Sequence, residues 1–144
     1  MFETCQYEKA LDYNYIGLLD DDQAISVSSL NRLLDIAAEN AFDVFQPAVS
    51  ADSHYSHAMF VQKNGLAPEP VYWVEIMSPF LRKEIFESGE AFYKSNISSY
   101  GVDRYLFPYL QQKLNRYHSA LIHEVSIRHL KPVTDGNKKF SNRL

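Results

Sequence analysis

The sequence predicts an α/β layer fold, and three observations carry that prediction. A short apolar run, Tyr15-Ile16-Gly17-Leu18-Leu19, ends abruptly in Asp20-Asp21-Asp22, as a buried strand does where it emerges into a loop. Leu30, Leu33, Leu34 and Ala37 or Ala38 then recur at helical spacing, behind Ser28 or Ser29 as a cap, which predicts a helix to about Asn40. Phe42-Asp43-Val44-Phe45-Gln46 reads as the next strand, stopped by Pro47. Strand, helix, strand is the order of parallel strands joined by a crossover, so the first two strands are expected side by side.

The rest of the chain follows the same logic. Residues 50–70 are polar, contain Gly65, Pro68 and Pro70, and keep no period, so they predict a long loop with at most an edge hairpin. Val71 to Met77 is rich in β-formers and predicts a strand, after which Ser78 and Pro79 fit the cap and first position of a helix running to about Ser88 before Gly89. A helix is expected from about Val102 to Tyr117, kinked at Pro108, and a last strand from Leu121 to Leu130. No repeat, linker or low-complexity stretch interrupts residues 1–144, which predicts one domain.

Composition narrows the function classes. The 144 residues are 46% hydrophobic and 22% charged, as in an ordinary globular domain. Apolar runs are only a few residues long, against the roughly 20 needed to cross a bilayer, and the N-terminus lacks the layout of a signal peptide. The expectation is a cytoplasmic protein, free or at a membrane surface. A single cysteine, Cys5, excludes an internal disulfide and four-thiolate zinc, so any metal must rest on oxygen and imidazole. The net charge of −4 is uneven: residues 1–127 carry nine basic and seventeen acidic side chains, while residues 128–144 carry five basic and one acidic. Without a broad basic face, nucleic acid is not expected, and the basic tail fits a smaller anion such as a diphosphate.

Three adjacent aspartates at a strand end raise one another's pKa, a cost that a divalent cation removes. Oxygen ligands favour Mg²⁺, Mn²⁺ or Ca²⁺, and a nearby imidazole tilts the choice toward Mn²⁺. An EF-hand is excluded, because Ile25 stands where its glycine belongs and Asn31 where its closing glutamate belongs. The haloacid-dehalogenase phosphotransferases also place an aspartate pair after a strand, but the later acidic pair they need is missing from this sequence. His54 and His57 have no carboxylate framework beside them in sequence and do not read as a metal pair.

Leu18-Leu19-Asp20-Asp21-Asp22 before a serine-capped helix resembles the DxD element of nucleotide-sugar-dependent glycosyltransferases of the GT-A type. Three further pieces occur in the family's order. Trp73 to Pro79 looks like its strand-to-helix passage at the acceptor site, Tyr100-Gly101-Val102-Asp103 resembles its glycine-x-acid at a helix start, and Val125 to Val133 resembles its late strand with a metal-ligating histidine. The likeness spans about residues 13 to 135 and implies a partial GT-A-like, Rossmann-like mixed sheet flanked by helices.

What the resemblance implies for function is specific. Asp22 and His129 become ligands of Mn²⁺ or Mg²⁺, with Asp20 on the metal, its water shell or the donor's ribose, and Asp21 and Lys131 beside the nucleotide. Asp103 becomes the general base of an inverting transfer of sugar from a nucleotide-sugar donor to an acceptor hydroxyl, with Glu75 as acceptor ligand or alternative base. The family places a nucleotide-binding half before the DxD, whereas nineteen residues precede Asp20, so the chain corresponds to the C-terminal half of such a domain. Activity is expected when the missing half is supplied, and a homo-oligomer is expected to cover the exposed sheet edge. Two other classes stay open: a non-catalytic remnant that binds a glycan or a protein, and a dehalogenase-type phosphatase.

Overall fold

The structure, a computed structural model, describes residues 13–95 and 99–132. It is mixed α/β. The elements in order are β1 (Tyr15–Gly17), β2 (Gln23–Ala24), α1 (Val27–Glu39), β3 (Val44–Val49), a 3₁₀ turn (Ala58–Phe60), β4 (Glu69–Pro70), β5 (Phe80–Arg82), α2 (Lys83–Ser88), α3 (Glu90–Ser95), a π-helical turn (Val102–Leu106), α4 (Phe107–Lys113) and β6 (Ser119–His129). Six strands form one mixed sheet in the order β1-β5-β3-β6-β2, with β4 on β6. Among the described strands β3 and β6 pair in parallel and the other strand pairs are antiparallel.

Alternate residues of the central strands face opposite layers. Phe45, Phe80 and Ile122 pack under Leu33, Ile36 and Ala37 of α1, while Val44, Leu81 and Ile16 pack against Ile85, Phe86, Phe107 and Leu110 from the helices after β5. Among the described residues no helix is long and apolar enough to cross a membrane.

Several expectations need correction. The strand ending near Leu19 does not lie beside β3, because β5 stands between them, antiparallel to both. Pro47 does not stop β3. It sits inside the strand where the register with β6 slips, from Pro47 opposite Ile122 to Ala48 opposite Ser126, and an irregularity of this kind is where a sheet tolerates a residue without an N–H. Residues 71–77 are not a strand. The neighbouring places on β6 are already filled by β3 and β4, and the Glu75 N–H is satisfied by the Gln46 side-chain carbonyl instead of a ladder.

Pro79 does not open a helix either: its carbonyl accepts from Leu18 N–H, and the buried pair Phe80 and Leu81 make β5 before the helix starts at Lys83. Helix α1 is capped by Ser26, whose hydroxyl accepts from Ser29 N–H at 3.1 Å, not by Ser28 or Ser29. The expected kink at Pro108 is a change from π-helical turn to α-helix, with the proline as the second residue of α4, just after the change. The last strand begins at Ser119 and ends at His129, two residues earlier and one residue shorter than expected at its respective ends.

Candidate functional site

The aspartate run is stitched into the sheet from two sides. On one side the extended chain after β1 runs along residues 77–79, with Leu18 N–H donating to Pro79 and Asp20 N–H donating to Met77. On the other side β2 pairs with the end of β6, Gln23 lies opposite His129, and Leu130 N–H donates to the Asp22 carbonyl at 2.9 Å. This double anchoring brings Asp22 and His129, about a hundred residues apart in sequence, to 3.2 Å between Oδ1 and Nε2.

The His129 side chain is buried, and among the described residues its Nδ1 has no hydrogen-bond partner. A buried nitrogen without a partner costs about 1–3 kcal/mol. Asp20 is half-buried beside the pair. Burial first, and then Asp22, push its carboxyl above the usual range, with His129 acting the other way. Asp21 points to solvent, its carboxylate 3.9 Å from Lys131 Nζ.

The donor set suits a hard divalent cation. Two ligand atoms on neighbouring corners of an octahedral ion with bonds of about 2.1 Å stand about 3 Å apart, close to the 3.2 Å observed for Asp22 and His129. No three His, Cys, Asp or Glu side chains among the described residues converge as a ready-made metal cage. An aspartate and a histidine with a third carboxylate alongside could hold only part of an ion's coordination sphere, leaving the other positions to water or another ligand.

Beside this corner lies a second group of polar residues. Glu75 is only 4% exposed. Burial raises its pKa to about 7; the Ser56 hydroxyl hydrogen-bonds its carboxyl and opposes the rise, Asp103 and Asp20 add to it, and Arg104 opposes it. The charges of Asp20, Asp103 and Arg104 therefore all act on one buried carboxyl. Gly101, at φ +80°, opens the π-helical turn that delivers the last two. Positive φ at this turn suits a residue without Cβ. Asp103 Oδ1 accepts from Arg104 N–H at 2.8 Å.

The Arg104 guanidinium lies 4.5 Å from the centre of the Trp73 ring and 3.3 Å from His57 Nε2. His57 and Trp73 meet edge to face, and both pack against buried Phe60. Tyr72 and Tyr100 are 80% and 89% exposed, so neither is a core residue.

The sequence pattern therefore names Asp20, Asp22, His129, Glu75 and Asp103, and it misses Gln46, Ser56, His57 and Arg104. Gln46 carries a signal, a polar residue between Phe45 and Pro47 in a buried strand. The other three carry none, since their roles arise from a loop and a turn that meet only in the fold. The basic tail beyond residue 132 lies outside the described residues. No family model matches the chain, and no curated protein is similar to it in sequence.

Proposed function

We propose that the protein is a metal-dependent glycosyltransferase of the GT-A kind, or the acceptor-side half of one, transferring a sugar from a nucleotide-sugar donor to an acceptor hydroxyl. The observation that carries this reading is the meeting of Asp22 with His129 beside Asp20, next to a second carboxylate pair, Glu75 and Asp103. Mn²⁺ or Mg²⁺ held by Asp22 and His129 would stabilise the charge on a departing nucleoside diphosphate. Lys131, beside Asp21 at the same corner, adds a cation for the nucleotide.

Asp103 is the preferred base. It is half-buried, hydrogen-bonded by an N–H donor and free of the deep burial that keeps Glu75 protonated toward neutrality. Asp103 would take the acceptor proton, whereas Glu75, held protonated up to about pH 7, can donate a hydrogen bond to the acceptor and position it.

Calorimetry tests the reading at its base. Mn²⁺ titrated into the chain with uridine or guanosine diphosphate present should bind, and Asp22→Asn and His129→Ala should each weaken that binding at least about 10–100-fold. Asp35→Asn, on the exposed surface of α1, should not change it. Binding that ignores both Asp22 and His129 overturns the proposal and leaves a glycan- or protein-binding role as the better reading.

A further inference from the structure

We infer that Arg104, clamped between Trp73 and His57, is a receptor for an anionic oxygen group, a phosphate or a carboxylate, on the small molecule that enters beside Glu75 and Asp103. The inference deepens the transferase reading and rests on it for what carries the anion. The clamp itself is independent of the metal corner.

An exposed arginine ordinarily has no fixed direction, because its long side chain keeps its entropy in water. Arg104 is exposed, yet three rings fix it. Buried Phe60 supports Trp73 and His57 edge to face, at ring-centre distances of 4.8 Å and 6.0 Å. The indole face then holds the guanidinium at 4.5 Å, and His57 Nε2, accepting from the arginine, holds one amino group at 3.3 Å. A cation–π contact holds the guanidinium over the ring without using its N–H donors in hydrogen bonds.

Of the five N–H donors a guanidinium carries, His57 engages only the group nearest it. No carboxylate among the described residues forms an ion pair with Arg104, although Asp103 is its sequence neighbour and spends Oδ1 on the Arg104 backbone instead. A guanidinium held in place with donors left unused is the group that binds phosphate or carboxylate through two parallel hydrogen bonds. The neighbouring acidic groups exclude a diffuse anion-attracting surface, so what binds must be held by directed contacts. That favours a small molecule with one anionic group placed to meet the fork while a hydroxyl reaches Asp103.

Trp73 is the chain's one tryptophan, so its emission reports directly on the clamp. The intact chain is titrated with sodium phosphate, pyrophosphate and acetate at constant ionic strength in the presence of EDTA. A saturable change in Trp73 emission with phosphate or pyrophosphate alone identifies a phosphate carrier; one with acetate identifies a carboxylate. Sodium chloride should give no saturable change. Arg104→Gln should weaken binding about 10- to 100-fold, and Arg104→Lys, which keeps the charge but not the fork, should lie between. Lys113→Gln, an exposed cation on α4, should match the unaltered protein. Titrations that merely follow ionic strength, or an Arg104→Gln protein that binds as the parent does, overturn the inference. Because no metal is present, that failure is separate from a failure of the Mn²⁺ titration.

Discussion

His123 and His129 lie on the same strand, both buried, each with Nε2 near a carboxylate: Glu69 Oε2 at 3.0 Å and Asp22 Oδ1 at 3.2 Å. Their surroundings differ. His123 Nδ1 accepts from Lys63 N–H, its carbonyl accepts from Gln62, and Lys63 Nζ neutralises Glu69 at 2.9 Å. Both ring nitrogens there are used, and the result ties residues 62–69 to β6. His129 has an unpartnered Nδ1 among the described residues, and its carboxylate stands beside Asp20 and Asp21. The carboxylates divide in the same way. Glu69 is held below the usual range by His123 and then Lys63, whereas burial pushes Glu75 up to about 7. A saturated network is a fastening, whereas a buried nitrogen without a partner and a carboxyl raised by burial are the kind of unsatisfied groups that gather at functional sites.

The largest expected effect is on chemistry. If the proposed transfer holds, Asp103→Asn should lower it by about 10²–10⁴-fold, the usual worth of a general base, with Mn²⁺ binding unchanged, while Glu69→Gln should leave transfer within a few-fold. A donor-hydrolysis or transfer assay reads both, and equal losses would erase the distinction between the two regions.

Next comes the histidine pair. His129→Ala should cost at least about 10–100-fold in Mn²⁺ affinity and little in thermal stability. His123→Ala should do the reverse, losing about 2 kcal/mol and several degrees in Tm. Calorimetry beside a melting curve decides, and an inverted pattern breaks the comparison.

Glu75 gives a pH test without metal. The folded protein keeps this proton until about pH 7, whereas the unfolded chain releases it near the ordinary glutamate value of 4.5. Between those values the unfolded chain binds fewer protons, so stability falls as pH rises, by about 3 kcal/mol at most. Glu75→Gln should flatten that fall, raising Tm at pH 8 relative to the parent and changing it little at pH 4. A parent whose Tm is level from pH 5 to pH 7 would show that Glu75 ionises freely.

The smallest effect belongs to the exposed fastenings. Arg32→Ala removes the exposed pair with Glu124 and should cost about 0.2–1 kcal/mol, with Mn²⁺ binding unchanged. A larger loss would mean that surface pairs carry more of this fold than the saturated interior does.

Much of the candidate site is legible in the sequence, because its residues carry local chemical signals. Three aspartates in a row are costly wherever they fall, and Gly101 ahead of Asp103 announces a turn that presents an acid. The partners that give those residues meaning are not legible there. Arg104 is one more surface cation until Trp73 and His57 close on it, and Gln46 is only an oddity until the Glu75 N–H turns toward it.

By itself the sequence determined the α/β class, a helix ending near Asn40, the short apolar run at 15–19, a last strand covering most of 121–130, and the residue types able to bind a hard cation, since these follow from periodicity and side-chain chemistry within short windows. The tertiary structure decided which strands are neighbours. β5 enters between β1 and β3, residues 71–77 leave the sheet despite their β-formers, and Pro47 stays inside a strand. A strand exists only where an unfilled edge accepts its hydrogen bonds, and the places on β6 are taken by residues distant in sequence. The 3.2 Å approach of Asp22 to His129 has the same origin: β2 pairs with the end of β6, a long-range contact that no local pattern encodes.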